Sequence, residues 1–232
     1  MIIGNGMLAK VFEPYKNNDE VLVFASGVSN SKEKDQSNFH KEALLLKDAI
    51  NKNPEKLLIY FSTCSVYDNS VNKTFYVMHK IKMENLIKKK CSRFYIFRLP
   101  QVVGLTRSPT LVNYLFTSIL NNKKIDINQH STRNLISADD VLVVASYLVE
   151  SKIYINEITN IATPSNMLVV DIIKIIEDIT GSLLSYNLVD SGQIFDIDIE
   201  KIRNVNMDFN IFSPRYLENT LRVFFKNTFF LK

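Results

Sequence analysis

Leu57 to Lys80 reads LLIYFSTCSVYDNSVNKTFYVMHK, and the rest of the chain is organised around it. It opens on an apolar run, Leu57-Leu58-Ile59-Tyr60-Phe61, closed by Ser62-Thr63-Cys64-Ser65. A short apolar run without alternation, bounded by small polar residues, is the pattern of a parallel strand buried on both faces. After a short loop, Tyr76-Val77-Met78-His79-Lys80 opens a helix that runs on through Ile87. Residues four apart share a helix face, so Tyr76 and Lys80 are neighbours and the Ser62-Thr63 strand end can face them. A hydroxyl, a phenol and an ammonium meeting there could pass a proton to or from a carbonyl or alcohol during hydride transfer. The ammonium is expected to favour the phenolate and lower the Tyr76 pKa. The plain reading of Tyr-x-x-x-Lys is a tyrosine packed on a lysine stem. Its place after a strand ending in Ser-Thr gives it weight.

The chain has 232 residues, enough for one sizeable core or two modest domains. Hydrophobic residues make up 46% and charged residues 22%, the balance of a soluble globular protein. No stretch approaches the ~18 consecutive apolar residues of a membrane span. Met1-Ile2-Ile3-Gly4 lacks the basic start of a signal peptide, and the expected location is the cytoplasm. Two cysteines, Cys64 and Cys91, and three scattered histidines give neither a disulfide framework nor metal-ligand spacing. A net charge of +4 is no nucleic-acid footprint. Lys88-Lys89-Lys90 complements a helix C-terminus.

Elsewhere, Ile2-Ile3 reads as a minimal strand, and Gly4-Asn5-Gly6-Met7-Leu8-Ala9 fits G-x-G-x-x-A. That pattern lets backbone approach a pyrophosphate at a helix N-terminus. Leu8, Val11 and Phe12 supply the buried side of the helix that follows. Residues 20–26 form the next strand, ending Phe24-Ala25-Ser26-Gly27. An NAD-reading unit places an acid at the end of its second strand. Here Ser26, Ser29 and Asn30 stand there, which leans toward NADP. Asn38 to Lys52 reads as a helix with Phe39, Ala43, Leu44, Leu46 and Ile50 inward. Another buried strand spans Arg93 to Pro100, followed by Gln101-Val102-Val103-Gly104. Thr110 to Leu120 is helical, Ala138-Asp139-Asp140 caps a helix to Glu150, and Ile158 to Ala162 is a strand. The apolar spacing from Leu168 to Ile179 gives an amphipathic helix stopped by Gly181.

In this order the pieces resemble the extended short-chain dehydrogenase/reductase family, the nucleotide-sugar epimerases, dehydratases and ketoreductases. The resemblance rests on Gly4 to Ala9, Phe24 to Gly27, Ser62 to Tyr67, Tyr76-x-x-x-Lys80, Arg98-x-x-Gln101-x-x-Gly104 and Arg133-Asn134-Leu135-Ile136-x-x-Asp139-Asp140-Val141. It implies an α/β fold: a Rossmann-like parallel sheet with helices on both faces and a small C-terminal α/β substrate-binding part. Residues 1–104, with 138–162 returning, would form the cofactor core. Residues 105–137 and 163–232 would form the substrate part. Thr63, Tyr76 and Lys80 match the catalytic set, with Lys80 holding the nicotinamide ribose. The cofactor, NADP or NAD, would lie along Gly4, Asn5, Gly6, Met7, Leu8, Ala25, Ser26, Gly27, Ser62, Tyr76, Lys80 and Leu99. Thr63, Cys64, Ser65, Gln101 and Arg133 would meet a nucleotide-sugar substrate. No metal is implied, and a homodimer follows by analogy.

The chain departs from that family in length. Only one strand, residues 20–26, lies between the glycine turn and the central strand, where the family has three. Its ending suits the family's fourth strand and its distance from the glycines suits the second. The sheet is thus shortened on its adenosine side. Cys64-Ser65 stands where dehydratases carry Asp-Glu, which disfavours dehydration. Cys64 reads as small filler, and His79 and His130 as packed or solvated. NAD(P)-dependent reduction of a 4-keto nucleotide sugar, in surface-polysaccharide precursor synthesis, needs only the Thr-Tyr-Lys set. Epimerisation uses the same residues. The other class of reading is an inactive protein that binds a sugar nucleotide or NAD(P).

Overall fold

The computed structural model describes residues 1–68, 74–106, 108, 110–192 and 194–229. The expected short loop between Tyr67 and Tyr76 therefore lies largely outside the described residues, as does the Phe230-Leu231 end. The chain runs β1 (Ile2–Ile3), α1 (Met7–Val11), β2 (Val21–Phe24), α2 (Gln36–Lys52), β3 (Leu57–Thr63), α3 (Phe75–Lys90) and β4 (Phe94–Leu99). It continues β5 (Gln101–Val103), α4 (Leu111–Leu120), β6 (Ile125–Asn128), β7 (Thr132–Arg133), β8 (Leu135–Ser137), α5 (Ala138–Glu150) and β9 (Glu157–Asn160). Then come β10 (Met167–Leu168), α6 (Val169–Thr180), β11 (Tyr186–Val189), α7 (Arg203–Phe209) and α8 (Tyr216–Phe229).

The central sheet is parallel throughout, in the order β1-β2-β3-β4-β9. Its strands are apolar on both faces because helices cover both. Val21, Val23, Leu57, Ile59, Phe61, Tyr95 and Phe97 face Phe12, which follows α1, and Val141, Val144 and Leu148 of α5. Leu22, Phe24, Leu58, Tyr60, Phe94 and Ile96 face Leu46 and Ile50 of α2 and Met83 and Ile87 of α3. Phe12 closes on Phe61 edge to face, with ring centroids 4.9 Å apart.

The connections carry a topological consequence. β1–α1–β2 and β2–α2–β3 step the same way across the sheet, yet α1 and α2 lie on opposite faces. The two crossovers are therefore of opposite hand, although one hand is the strong rule. In a doubly wound sheet of order 3-2-1-4-5-6, the chain leaves the first helix outward, away from the fourth strand. Here it turns back inward. β2 pairs with both β1 and β3, the place of the fourth strand, so its position decides which strand residues 20–26 represent.

Beyond the sheet, α4, α6 and α8 gather a second core around β5, β6 and β8. Leu115, Phe116, Ile125, Leu135, Ile172, Ile176, Leu221 and Phe225 are buried in it. β5 pairs with β8, β6 with β11, and β7 with β10. Helix ends follow their side chains: Asp35, Thr74 and Thr110 accept from amides in the first turns of α2, α3 and α4. The cap of α5 is Ser137, whose oxygen accepts from the Asp140 amide; Ala138, Asp139 and Asp140 are already helical. Gly181 ends α6 in the left-handed conformation, φ 67°. Among the described residues no helix is long and apolar enough to cross a membrane.

Candidate active site

Parallel strands deliver their C-terminal ends to one rim of a sheet, and β3 brings Thr63 there beside α3. Thr63 and Tyr76 are buried, 5% and 8% exposed. The Thr63 hydroxyl accepts from the Ser65 amide at 3.1 Å and is hydrogen bonded to the Tyr76 phenol. The Lys80 ammonium lies 5.9 Å from the Tyr76 ring centre. The expected set thus comes together, but its electrostatics differ from the expectation. Burial pushes the phenol up to about 12; the Thr63 hydroxyl works the other way, and the Glu42 charge adds to the rise. Tyr76 is a protonated acid at neutral pH, not a phenolate.

The reason lies in Lys80. Its ammonium carries three donors. They find Glu42 Oε1 at 3.1 Å, the Tyr60 hydroxyl at 3.2 Å and the Phe61 carbonyl at 3.5 Å. Both side chains of the Glu42–Lys80 pair are almost wholly buried, 1% and 4% exposed. Glu42 also accepts from the Val28 amide at 2.7 Å and the Tyr60 hydroxyl at 2.7 Å. His79 Nε2 sits 2.9 Å from its other oxygen, close enough for an ion pair but poorly aligned for a hydrogen bond. Burial alone would raise the Glu42 pKa; His79, Lys80, Tyr60 and Val28 outweigh it and hold the carboxyl at about 2. For Lys80 burial wins, and its pKa is lowered despite Glu42 and Glu84.

Sequence reasoning missed Glu42 and turned α2 the wrong way at one position. Leu44, expected inward, is 52% exposed, while Glu42 is 3% exposed. The signal was available: Phe39, Glu42, Leu46 and Ala49 recur at helical spacing and form the buried stripe.

The remaining candidates fall into two groups. Gly4 has φ +129°, and a Cβ there would stand 2.4 Å from the Ala25 carbonyl oxygen, so the glycine turn is pressed against the end of β2. Asn5 and Gly6 are exposed, and an added Cβ at Gly6 meets nothing within 4 Å. That leaves open space for a phosphate to approach the backbone. Met7 packs on Gly104, where a Cβ would come within 2.6 Å of its sulfur, and Leu8 lies at the edge of the sheet core. Gly27 touches Lys80, with a notional Cβ 2.6 Å from Nζ. Gly4, Ala25, Ser26, Gly27, Lys80 and Tyr76 thus form one continuous line. A cavity of about 280 Å³ opens beside it, lined by Ser26 to Asn30, Glu33, Asn38 and Glu42. Ser62 is spent elsewhere, donating to Glu84 at 2.6 Å, and Leu99 is core, in register with Thr63.

In the substrate group, the Cys64 thiol donates to the Arg98 carbonyl at 3.3 Å, and burial pushes its pKa up to about 12, away from the reactive thiolate. Ser65 gives its amide to Thr63. Gln101 stands on β5 and Arg133 on β7. The Gln101 side-chain oxygen is buried with no hydrogen-bond partner among the described residues, and the Arg133 guanidinium donates to the Thr132 carbonyl at 2.7 Å. Burial lowers the Arg133 pKa, and Asp68, one residue past Tyr67, works against that.

No family model matches this sequence, and neither does any curated protein. Solved structures do. A UDP-glucuronic acid 4-epimerase from Bacillus cereus, in complex with NAD, superposes with a TM-score of 0.71 at 19% identity, over 96% of this chain and 77% of that one. A dTDP-4-dehydrorhamnose reductase from Clostridium acetobutylicum gives 0.73 at 12% identity, over 97% and 98%. RMD from Pseudomonas aeruginosa, complexed with NADPH, gives 0.68 at 14% identity, over 90% and 80%. The chain has the fold of these solved structures. In this fold the open backbone at Gly6 leaves room for a phosphate, and the Thr63 end of β3 leaves a rim at which a nicotinamide could lie. In this arrangement the Lys80 ammonium is paired with Glu42 at 3.1 Å. The lean toward NADP also loses its footing, since β2 takes the fourth-strand place and its lack of a terminal acid says nothing of the adenosine ribose.

Proposed function

We propose that this chain is an NAD(P)-dependent enzyme that reduces the 4-keto group of a nucleotide sugar, in the making of surface-polysaccharide precursors. The observation that carries the reading is the Thr63–Tyr76 pair, buried at the sheet rim with the phenol held protonated. Bound NAD(P)H supplies the hydride. Thr63 and Tyr76 both present a hydroxyl to one carbonyl oxygen, and Tyr76 donates its proton to the alkoxide that forms. A protonated phenol suits reduction. Epimerisation begins with the opposite step, removal of a hydroxyl proton, and is the less favoured use of the same residues. Gln101 and Arg133 are assigned to the substrate together with the second core, residues 105–137 and 163–232. The named activities of the structural counterparts, two of them 4-position chemistry on nucleotide sugars, support this reading.

The test is loss of NADPH or NADH absorbance on adding a 4-keto nucleotide sugar. Tyr76→Phe is expected to lower turnover by about 10²–10⁴-fold while cofactor binding persists. Full turnover in that variant refutes the assignment. Binding of neither cofactor removes the enzyme reading and leaves a sugar-nucleotide-binding protein, which the engaged Lys80 and the short adenosine side would favour.

A second copy of the chain is the assigned partner. Leu44 and Leu45 on α2 and Phe75 and Met78 on α3 are exposed apolar side chains, 52%, 38%, 56% and 42% exposed. Sedimentation should give a dimer, and a monomer at micromolar concentration would end this assignment.

A further inference from the structure

The buried carboxylate at Glu42 has no part in the proton transfer just described, yet it is the centre of a buried polar cluster of Val28, Tyr60, His79 and Lys80. We propose that Glu42 is a positioning residue of the Thr63–Tyr76–Lys80 set: it fixes the Lys80 ammonium one turn beyond Tyr76. The inference rests on the reading of that set as acid–base machinery.

Three observations carry it. The first is proximity in a dry place: Lys80 Nζ lies 3.1 Å from Glu42 Oε1, and both side chains are almost wholly buried. The second is how Glu42 is itself held. Its contacts come from the β2–α2 loop through Val28, from β3 through Tyr60, and from α3 through His79 and Lys80. A carboxylate gripped from three elements has little freedom to leave its lysine. The third is Gly27, whose missing side chain leaves room for the pair: a Cβ would lie 2.6 Å from Lys80 Nζ and 3.0 Å from Glu42 Oε1.

Stability alone does not explain the arrangement, because apolar residues of like volume often serve as well as a buried ion pair. Position does. The Glu42 negative charge faces Tyr60, His79 and Lys80 and acts on Tyr76; Glu84 acts on Tyr60 and Lys80 from the α3 side, and Glu33 lines the same cavity. Glu42 disfavours the phenolate and so keeps Tyr76 in the form that donates. Through Val28 it also joins the lysine to the loop that walls the 280 Å³ cavity.

The experiment compares Glu42→Gln with the wild-type protein in steady-state reduction. The expected result is a kcat loss of about 10²-fold with cofactor KM within about twofold, and an alkaline limb of kcat moved to lower pH by about one unit. A purely structural glutamate would leave the pH limb where it is. Unchanged kcat and pH limb, or a rise in cofactor KM alone, overturns the proposal. Should Glu42→Gln fail to fold, the wild-type protein decides. Its lysine ammonium NMR signals are recorded with and without saturating NADPH, and Lys80 is assigned by the signal lost in Lys80→Arg. A Lys80 signal unmoved by NADPH upholds Glu42 as its partner, and one that shifts to a new partner overturns it. Wild-type protein that neither binds NADPH nor turns over defeats the functional reading and this inference together; binding and turnover with a displaced lysine signal defeat this inference alone.

Discussion

Helix α3 takes part in two cation–carboxylate pairs of similar length that behave differently. Glu84 meets Arg98 as a fork, 2.9 Å to Nε and 2.7 Å to Nη2, with Ser62 donating to the same carboxylate at 2.6 Å. Arg98 reaches on to Tyr67, and Tyr67 to Asn160. Burial works against the Arg98 charge, but the Glu84 carboxylate outweighs it and holds the guanidinium well above its ordinary value. Lys80 meets Glu42 with a single ammonium, and there burial wins, drawing the lysine below its ordinary value. The planar guanidinium is matched to its carboxylate and never titrates. The ammonium is a point charge whose proton can be bargained over. The first pair stitches β3, α3, β4 and β9 together; the second sits against the acid of the candidate reaction.

The largest effect should come from breaking the stitch. Glu84→Ala strands Arg98 in a partly buried place and is expected to cost about 3–5 kcal/mol, read as a fall in the urea midpoint. A midpoint equal to wild type would show that the fork holds nothing. The next effect concerns acid. The folded-state pKa of Glu42 is depressed from 4.5 to about 2, so its contribution to stability is complete above the unfolded value and is lost as pH falls through that window. The wild-type urea midpoint should drop between pH 4.5 and 2 by more than that of Glu42→Gln. Parallel curves would show that the carboxyl titrates normally. The smallest effect is expected at the exposed pair Lys174–Asp171, where side chains are 65% and 44% exposed. Asp171→Asn should leave the urea midpoint unmoved, because water and salt screen such pairs.

The sequence read best where one residue type decides one local choice. Leu57 to Phe61 could only be a buried strand, Gly181 stops α6, and Tyr76 and Lys80 meet because helical spacing makes them meet. It read poorly where the deciding partner lies far along the chain. Glu42 is satisfied by Val28, Tyr60, His79 and Lys80, from 14 to 38 residues away. Three successive leucines, Leu44 to Leu46, leave the helix register open, and only the cluster around Glu42 settles it. The identity of β2 needed the pairing order of the sheet, which spacing from the glycines cannot supply. Helix α8 had no reading at all: its buried Leu221, Phe224 and Phe225 are spaced for a helix, but polar Asn, Thr and Lys residues dilute the stripe.

Strand β1 is joined to the sheet at two register positions, Ile2 with Val23 and Ile3 with Phe24, and the Met1 amino group adds bonds to the Tyr15, Asn18 and Val21 carbonyls. The glycine turn hangs from that short zip. Short, lightly fastened segments open at a small fraction of the global unfolding cost, so amide exchange at Ile2 to Ala9 should outpace that of Leu57 to Phe61. Any anion that grips the turn then spends part of its binding in quieting this flap, and the grip is felt at Ala25, against which Gly4 is pressed.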